Sequence, residues 1–195
     1  MKIRKIGVIG AGQMGSGIAH VCSLGGYDIA LNDLSRDRLD AAFKVIDKNM
    51  NRQVRGEKIS EADKKAAVAR ITPVESYAGL GDCDLVIETV VEDEQIKRKV
   101  LAEVCPPLRA DALLGTNTST ISVTRLAAAT DRPERFMGVH FMNPAPVMEL
   151  IELIRGIATD DDTFHTVRDF ASSLGKTVAV SEDFPAFIVN RILLP

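Results

Sequence analysis

The sequence predicts an α/β protein: a doubly wound, mostly parallel sheet with a helical-hairpin excursion after its second strand, followed by the stub of a helical second domain. Three observations carry this reading. Short apolar runs alternate with amphipathic helical patterns, as in a sheet whose strands are joined by crossover helices. A glycine-rich turn stands between the first apolar run and the first helical pattern. A strongly apolar segment at the end of the chain has too many aliphatic side chains to stand alone in water.

The strands expected are "KIGVIG", "YDIALND", "DLVIETV", "ALLGTNT", "RFMGVHF", "MELIELI" and "KTVAVSE". Helices are expected at Gln13–Leu24, Arg36–Arg55, 60–69, Glu94–Val104, 123–129 and 162–174. The stretch from Ser35 to Arg70 is long for a minimal crossover and reads as two charged amphipathic helices with "RGEK" as the turn. In "SEDFPAFIVNRILLP", Pro185 suits the first turn of a helix, and Phe187, Ile188, Ile192, Leu193 and Leu194 need a partner surface. We therefore divide the chain into a sheet domain over 1–184 and the first helix of a second, helical domain over 185–195.

Bulk properties narrow the function classes. The chain has 195 residues, 46% hydrophobic and 26% charged, with a formal net charge of −3. That balance, without a basic block, disfavours nucleic acid or an anionic membrane as partner. The first apolar run is interrupted by Gly7, Gly10, Gly12, Gly15 and Gly17 and is too short to span a bilayer or serve as a secretion signal. Three dispersed cysteines without metal-ligand spacing fit reduced thiols in a cytoplasmic protein.

"GVIGAGQMGSGIA" places Gly10-x-Gly12-x-x-Gly15 after a strand and before a helix. Gly10 allows the tight turn, Gly12 lets a pyrophosphate approach the backbone, and Gly15 lets helix and strand pack closely. The helix start offers free N–H groups to phosphate. The second strand ends in Asp33, about twenty residues on, where an acid accepts the ribose hydroxyls. A carboxylate there repels a 2′-phosphate, so the cofactor expected is NAD rather than NADP. Arg36 and Arg38 lie close behind and read otherwise as a solvated helix start. The domain is thus of the Rossmann type.

Two further stretches carry chemistry. "GTNTSTIS" ends a strand, where ligands of open α/β sheets lie; its threonines Thr116, Thr118 and Thr120 serve equally well as turn and capping residues. "GVHFMNPAPVMELIEL" holds His140 at a strand end and Glu152 between Ile151 and Leu153. A buried carboxylate without a partner costs several kcal/mol or gives up its charge, and His140 is the nearest plausible partner. Oxidising an alcohol by hydride loss also removes the hydroxyl proton, a task for an imidazole near neutral pH. A carboxylate on its other nitrogen would fix the tautomer. Glu149, out of phase with Glu152, is expected on the other face. His20 reads as packed and His165 as surface-exposed.

Taken together, "GAGQMGSGIA", "NTST", "GVHFMNPAPVMELIE" and "PAFIVNRIL" resemble the 3-hydroxyacyl-CoA dehydrogenases, particularly the bacterial 3-hydroxybutyryl-CoA dehydrogenases, from about Lys5 to Leu194. The resemblance implies His140 as general acid/base with Glu152 as its orienting carboxylate. It implies Ser119 and Asn190 as hydrogen-bond partners of the reacting oxygen, and Asn143 as support for the histidine and nicotinamide. Gly10, Gly12, Gly15, Asp33, Glu92 and Lys97 match the cofactor side. Arg52 and Lys58, on the helical excursion, become candidates for coenzyme A phosphates. It further implies an acyl-CoA substrate, and a homodimer formed through a helical domain that also completes the acyl pocket. Thr120 stands where the family often has serine. Two other readings remain: a non-catalytic dinucleotide-binding relative, which would not need this set of side chains, and a β-hydroxyacid dehydrogenase, which would use a later lysine as base.

Overall fold

The computed structural model describes residues 2–193. Eight strands form one sheet in the order β3-β2-β1-β4-β5-β6-β7-β8. They are β1 Lys5–Ile9, β2 Asp28–Asn32, β3 Ile71–Val74, β4 Leu85–Glu88, β5 Leu113–Thr116, β6 Phe136–Phe141, β7 Leu150–Arg155 and β8 Thr177–Glu182. All neighbours pair in parallel except β6 and β7. The helices are α1 Gln13–Leu24, α2 Arg36–Arg55, α3 Glu61–Ala69, α4 Glu94–Val104, α5 Val123–Ala127, α6 Asp161–Ser173 and α7 Val189–Leu193.

Local chemistry accounts for where the helices begin. Ser35, Asp93, Ser122 and Asp160 each accept a backbone N–H of the first turn, starting α2, α4, α5 and α6. Ser60 and Asp63 form a reciprocal capping box on α3, so residue 60 is a cap rather than a helical residue. Such caps stabilise a helix by about 1 kcal/mol each. The turn between α2 and α3 confirms the expected excursion, and α2 and α3 pack back on α1.

The six inner strands are buried on both faces, as their β-branched and leucine-rich runs require, while the edge strands β3 and β8 are partly exposed. One core layer joins Val8, Ile18, Leu31, Ile46 and Leu153 beneath α1, α2 and α6. The other joins Val86, Leu101, Leu114, Leu126 and Phe136 beneath α4 and α5. Each such side chain contributes about 1.5–3 kcal/mol on burial.

Two expectations need correction. The edge strand β3, "ITPV", was not among the strands predicted, because Pro73 cannot donate to a ladder; it is tolerated only on an edge. The helix expected from Pro185 begins instead at Val189, after a turn at 185–188 in which Ala186 and Phe187 have φ of 65° and 49°. Left-handed backbone costs an L-residue roughly 1–2 kcal/mol. It is held here because Glu152 captures the N–H groups of Ile188 and Val189, and because Phe187 is buried at 3% exposure by the sheet domain itself. Ile192 and Leu193, at 77% and 69%, remain exposed. Leu194 lies outside the described residues.

Candidate active site

The candidate site lies at the carboxyl ends of β1, β4, β5 and β6. The glycine turn shows why each of its glycines is there. Gly10 has φ of 96° and its N–H bonds the Asn32 carbonyl at 2.8 Å. A Cβ on Gly15 would stand 1.7 Å from the Gly10 carbonyl oxygen, so no other residue fits without moving the backbone. A Cβ on Gly12 would meet nothing within 4 Å; the space over the turn is open on the side where α1 begins. Gly12 is the N-cap of α1 and supplies no capping side chain. First-turn N–H groups without a side-chain cap, beside open space, fit a pyrophosphate. Asp33 stands against this turn, Oδ2 accepting the Ala11 N–H at 3.0 Å and Oδ1 that of Ser35 at 3.2 Å. These bonds leave acceptor capacity on both oxygens for hydroxyl donors.

The histidine and glutamate meet because β6 and β7 pair antiparallel with His140 opposite Glu152. Nδ1 of His140 lies 2.8 Å from Oε2 of Glu152. An ionised carboxylate only accepts hydrogen bonds, so Nδ1 carries the proton and Nε2 is the free basic nitrogen. The other oxygen, Oε1, accepts the N–H groups of Ile188 at 3.0 Å and Val189 at 2.8 Å. Glu152 is wholly buried, and all these donors compensate its desolvation. Glu149 precedes β7 and is exposed, and His165 is exposed on α6, as expected.

His140 opens into a cleft of about 280 Å³ together with Ser119, Glu92, Asn117, Asn143 and Thr89. Ser119 sits in a turn gathered around one carboxylate. Oε1 of Glu92 accepts from Thr118 Oγ1 at 2.6 Å and from the N–H groups of Ser119 and Thr120 at 2.8 and 3.1 Å. Burial raises the Glu92 pKa, but the Thr118 hydroxyl, the Lys97 charge and these amides outweigh it and hold it below the ordinary value. Lys97 lies behind Glu92 at 1% exposure, bonding Glu88 at 2.8 Å and the Val90 carbonyl at 3.1 Å, with Glu92 3.4 Å away. It does not line the cleft itself and meets it through Glu92 and Val90. Asn190 donates from Nδ2 to the Ser119 carbonyl at 2.9 Å, so α7 is brought to the same turn. Asn143 accepts from Gln13 Nε2 at 3.0 Å.

Arg52 and Lys58 are not brought to this cleft; both are exposed on and just after the end of α2. A larger concavity of about 580 Å³, lined by Lys2, Tyr27, Arg135 and Asp162 among others, holds none of the expected site residues. It reaches the amino ends of β5 and β6, the opposite end of the sheet from the ligand crevice of such folds, and we assign it no role. Among the described residues, no group of three or more His, Cys, Asp or Glu could hold a metal ion, and no helix is long and apolar enough to cross a membrane. The three cysteines are free and buried, and burial pushes the Cys22 and Cys83 thiols well up.

Sequence reasoning missed four supports of the site. Glu88, wholly buried at the end of β4, accepts from Lys97, from the Thr116 hydroxyl at 2.7 Å and from the Val90 N–H at 2.6 Å. The signal that drew attention to Glu152, a carboxylate in an apolar run, is present in "DLVIETV" too. Thr89 bonds the Ile9 and Gly10 carbonyls. Asn117 accepts the Phe141 N–H at 2.8 Å beside His140. Asp183 accepts from Ser122 Oγ at 2.7 Å and from the amides of Val123 and Thr124.

Comparison with known proteins places this geometry. Residues 5–184 match the family described as 3-hydroxyacyl-CoA dehydrogenase, NAD binding domain. A 3-hydroxybutyryl-CoA dehydrogenase of Bradyrhizobium diazoefficiens is 61% identical over 193 residues, covering 99% of this chain and 66% of that protein. The crystal structure of (S)-3-hydroxybutyryl-CoA dehydrogenase from Ralstonia eutropha superposes with a TM-score of 0.96 at 41% identity, covering 98% of this chain and 68% of that one. A fatty acid oxidation complex subunit alpha from Idiomarina loihiensis is 42% identical, covering the whole of this chain and 27% of its own length. The chain thus spans about two thirds of the length of the two shorter relatives. It belongs to the 3-hydroxyacyl-CoA dehydrogenase family and carries that family's NAD-binding domain.

Proposed function

We propose that the protein oxidises (S)-3-hydroxyacyl-CoA, in the first place 3-hydroxybutanoyl-CoA, reversibly to the 3-oxoacyl-CoA, with His140 and Glu152 as the acid/base pair. The observation that carries the reading is the 2.8 Å contact between His140 Nδ1 and Glu152, which leaves Nε2 basic at a cleft beside the glycine turn. Bound NAD supplies the hydride acceptor. Gly10, Gly12 and Gly15 shape the turn for its pyrophosphate and Asp33 receives a ribose. Glu92, with Lys97 behind it, and Asn143 border the rest of the cofactor.

As C3 of the substrate loses hydride, Nε2 of His140 takes the hydroxyl proton, and Glu152 stabilises the imidazolium that forms. In the reverse direction the imidazolium returns that proton to the developing alkoxide. Ser119 and Asn190 hydrogen-bond the reacting oxygen or the neighbouring carbonyl. Arg52 and Lys58 are the candidates for coenzyme A phosphates, supported only by their exposed charge at the end of the excursion. We place the domain boundary after residue 184, where the family match also ends. A cytoplasmic homodimer is the assembly that the reduced thiols and the exposed Ile192 and Leu193 favour.

The test is reduction of acetoacetyl-CoA by the full-length enzyme, with NADH and NADPH compared and acyl length varied. NADH-dependent turnover that is greatest with short acyl chains is expected. Tight NADH binding without turnover would contradict the reading and favour a non-catalytic dinucleotide-binding relative.

A further inference from the structure

The strap between β8 and α7 is tied to the sheet at both ends. Asp183 holds its start against the first turn of α5 through three hydrogen bonds of 2.7 to 2.9 Å. Glu152 holds its end through the amides of Ile188 and Val189. Between these anchors the left-handed backbone of Ala186 and Phe187 turns one side chain inward. Phe184 and Ile188 are exposed, while Phe187 is buried. Its ring meets the imidazole of His140 edge-on, with centroids 6.2 Å apart and planes at 62°.

A single hydrogen bond at Nδ1 fixes one atom of the imidazole and leaves the ring able to rock about that contact, since the terminal torsion of histidine is broad. A second contact is needed to set the plane, and with it the direction of Nε2. We propose that Phe187 is a positioning residue for His140: held by the strap, its ring sets the imidazole plane so that Nε2 points into the cleft, and it excludes water from the Nδ1–Glu152 pair. The same carboxylate serves both parts, one oxygen on the imidazole and one on the strap. The proposal rests on the acid/base reading of His140.

Two variants of the full-length enzyme test it, each normalised to its NADH-binding sites so that unfolded protein does not count. Phe187→Ala should lower kcat for acetoacetyl-CoA reduction by about 10- to 100-fold, as a small misplacement of a reacting group does. The KM for NADH should stay within about twofold, the mark of a loss confined to the reacting centre. Phe187→Leu, which keeps apolar volume against the ring, should recover most of the loss. Exchange of the His140 Nδ1–H with solvent, followed in side-chain ¹⁵N spectra, supplies a second readout: the proton should be protected in the parent and exchange rapidly in Phe187→Ala, with the Nδ1–H tautomer the same in both because Glu152 still accepts from it. A normal kcat in Phe187→Ala would overturn the proposal, and so would an unchanged exchange rate. If His140→Asn keeps full turnover, the acid/base reading fails instead, while the exchange rates still decide what Phe187 does to the imidazole.

Discussion

Glu88 and Glu152 are both wholly buried and both on strands of the same sheet, Glu88 after the aliphatic run Leu85, Val86 and Ile87 and Glu152 between Ile151 and Leu153. Glu88 is met by the buried ammonium of Lys97, the buried hydroxyl of Thr116 and the part-buried amide of Val90. Glu152 is met by two amides and by an imidazole whose far nitrogen faces the cleft. Burial alone therefore does not tell the two carboxylates apart. The partner does: Lys97 has its charge enclosed, as in a brace, whereas His140 keeps one nitrogen open, the arrangement on which the proposed acid/base role rests.

The largest contrast should come from removing each charge. In Glu152→Gln the amide can donate to Nδ1, which moves the imidazole proton to Nε2 and leaves no base there; kcat should fall by roughly 10²–10⁴-fold. Glu88→Gln should leave turnover per folded molecule within a few-fold, and rates normalised to bound NADH check both. The stability ledger should run the other way. Lys97→Met strands Glu88 in the core and should cost about 3–5 kcal/mol in denaturant unfolding, the usual cost of breaking a buried pair from one side. Changing both residues, Glu88→Gln with Lys97→Met, should recover part of that loss.

A smaller effect separates the cofactor turn from both. Gly15→Ala drives a Cβ into the Gly10 carbonyl; overpacking of this kind costs about 1–3 kcal/mol. NADH affinity should drop with it while the His140 tautomer stays as it was. Titration of NADH fluorescence and the side-chain spectra test the two halves.

The smallest effect concerns a histidine outside the site. His20 is buried, its Nε2 held by Gln53 at 2.9 Å and its Nδ1 without a partner. Burial lowers its pKa below the ordinary 6.5, against the smaller opposing effect of the Gln53 bond. The unfolded chain therefore takes up this proton first. The stability that depends on a neutral His20 is complete above about pH 6.5 and is lost as pH falls through the lower folded value. His20→Leu should flatten the fall of Tm between pH 6.5 and 5, measured by scanning calorimetry.

The sequence makes some of this legible and hides the rest for physical reasons. Strands buried on both faces announce themselves as apolar runs, and α1, α2 and α4 begin and end where their periodicity does. The glycine turn reads directly because steric exclusion at Gly15 admits one residue type. The His140–Glu152 pair was readable because a charge in an apolar run demands a partner. The register that sets Thr116 beside Glu88, and the packing of α4 that brings Lys97 to it, show only once β4, α4 and β5 are in place. β3 hides behind Pro73. The strap hides more deeply, since Ala186 and Phe187 are residue types with no preference for the backbone they adopt, and tertiary anchors at Asp183 and Glu152 impose it.

All of this depends on the imidazole of His140 moving the substrate proton, as proposed. Single-turnover hydride transfer in His140→Asn, with NADH prebound and acetoacetyl-CoA added, isolates that step. The rate should fall by roughly 10²–10⁴-fold with NADH binding essentially intact; a rate close to that of the unaltered protein would rule His140 out as the base.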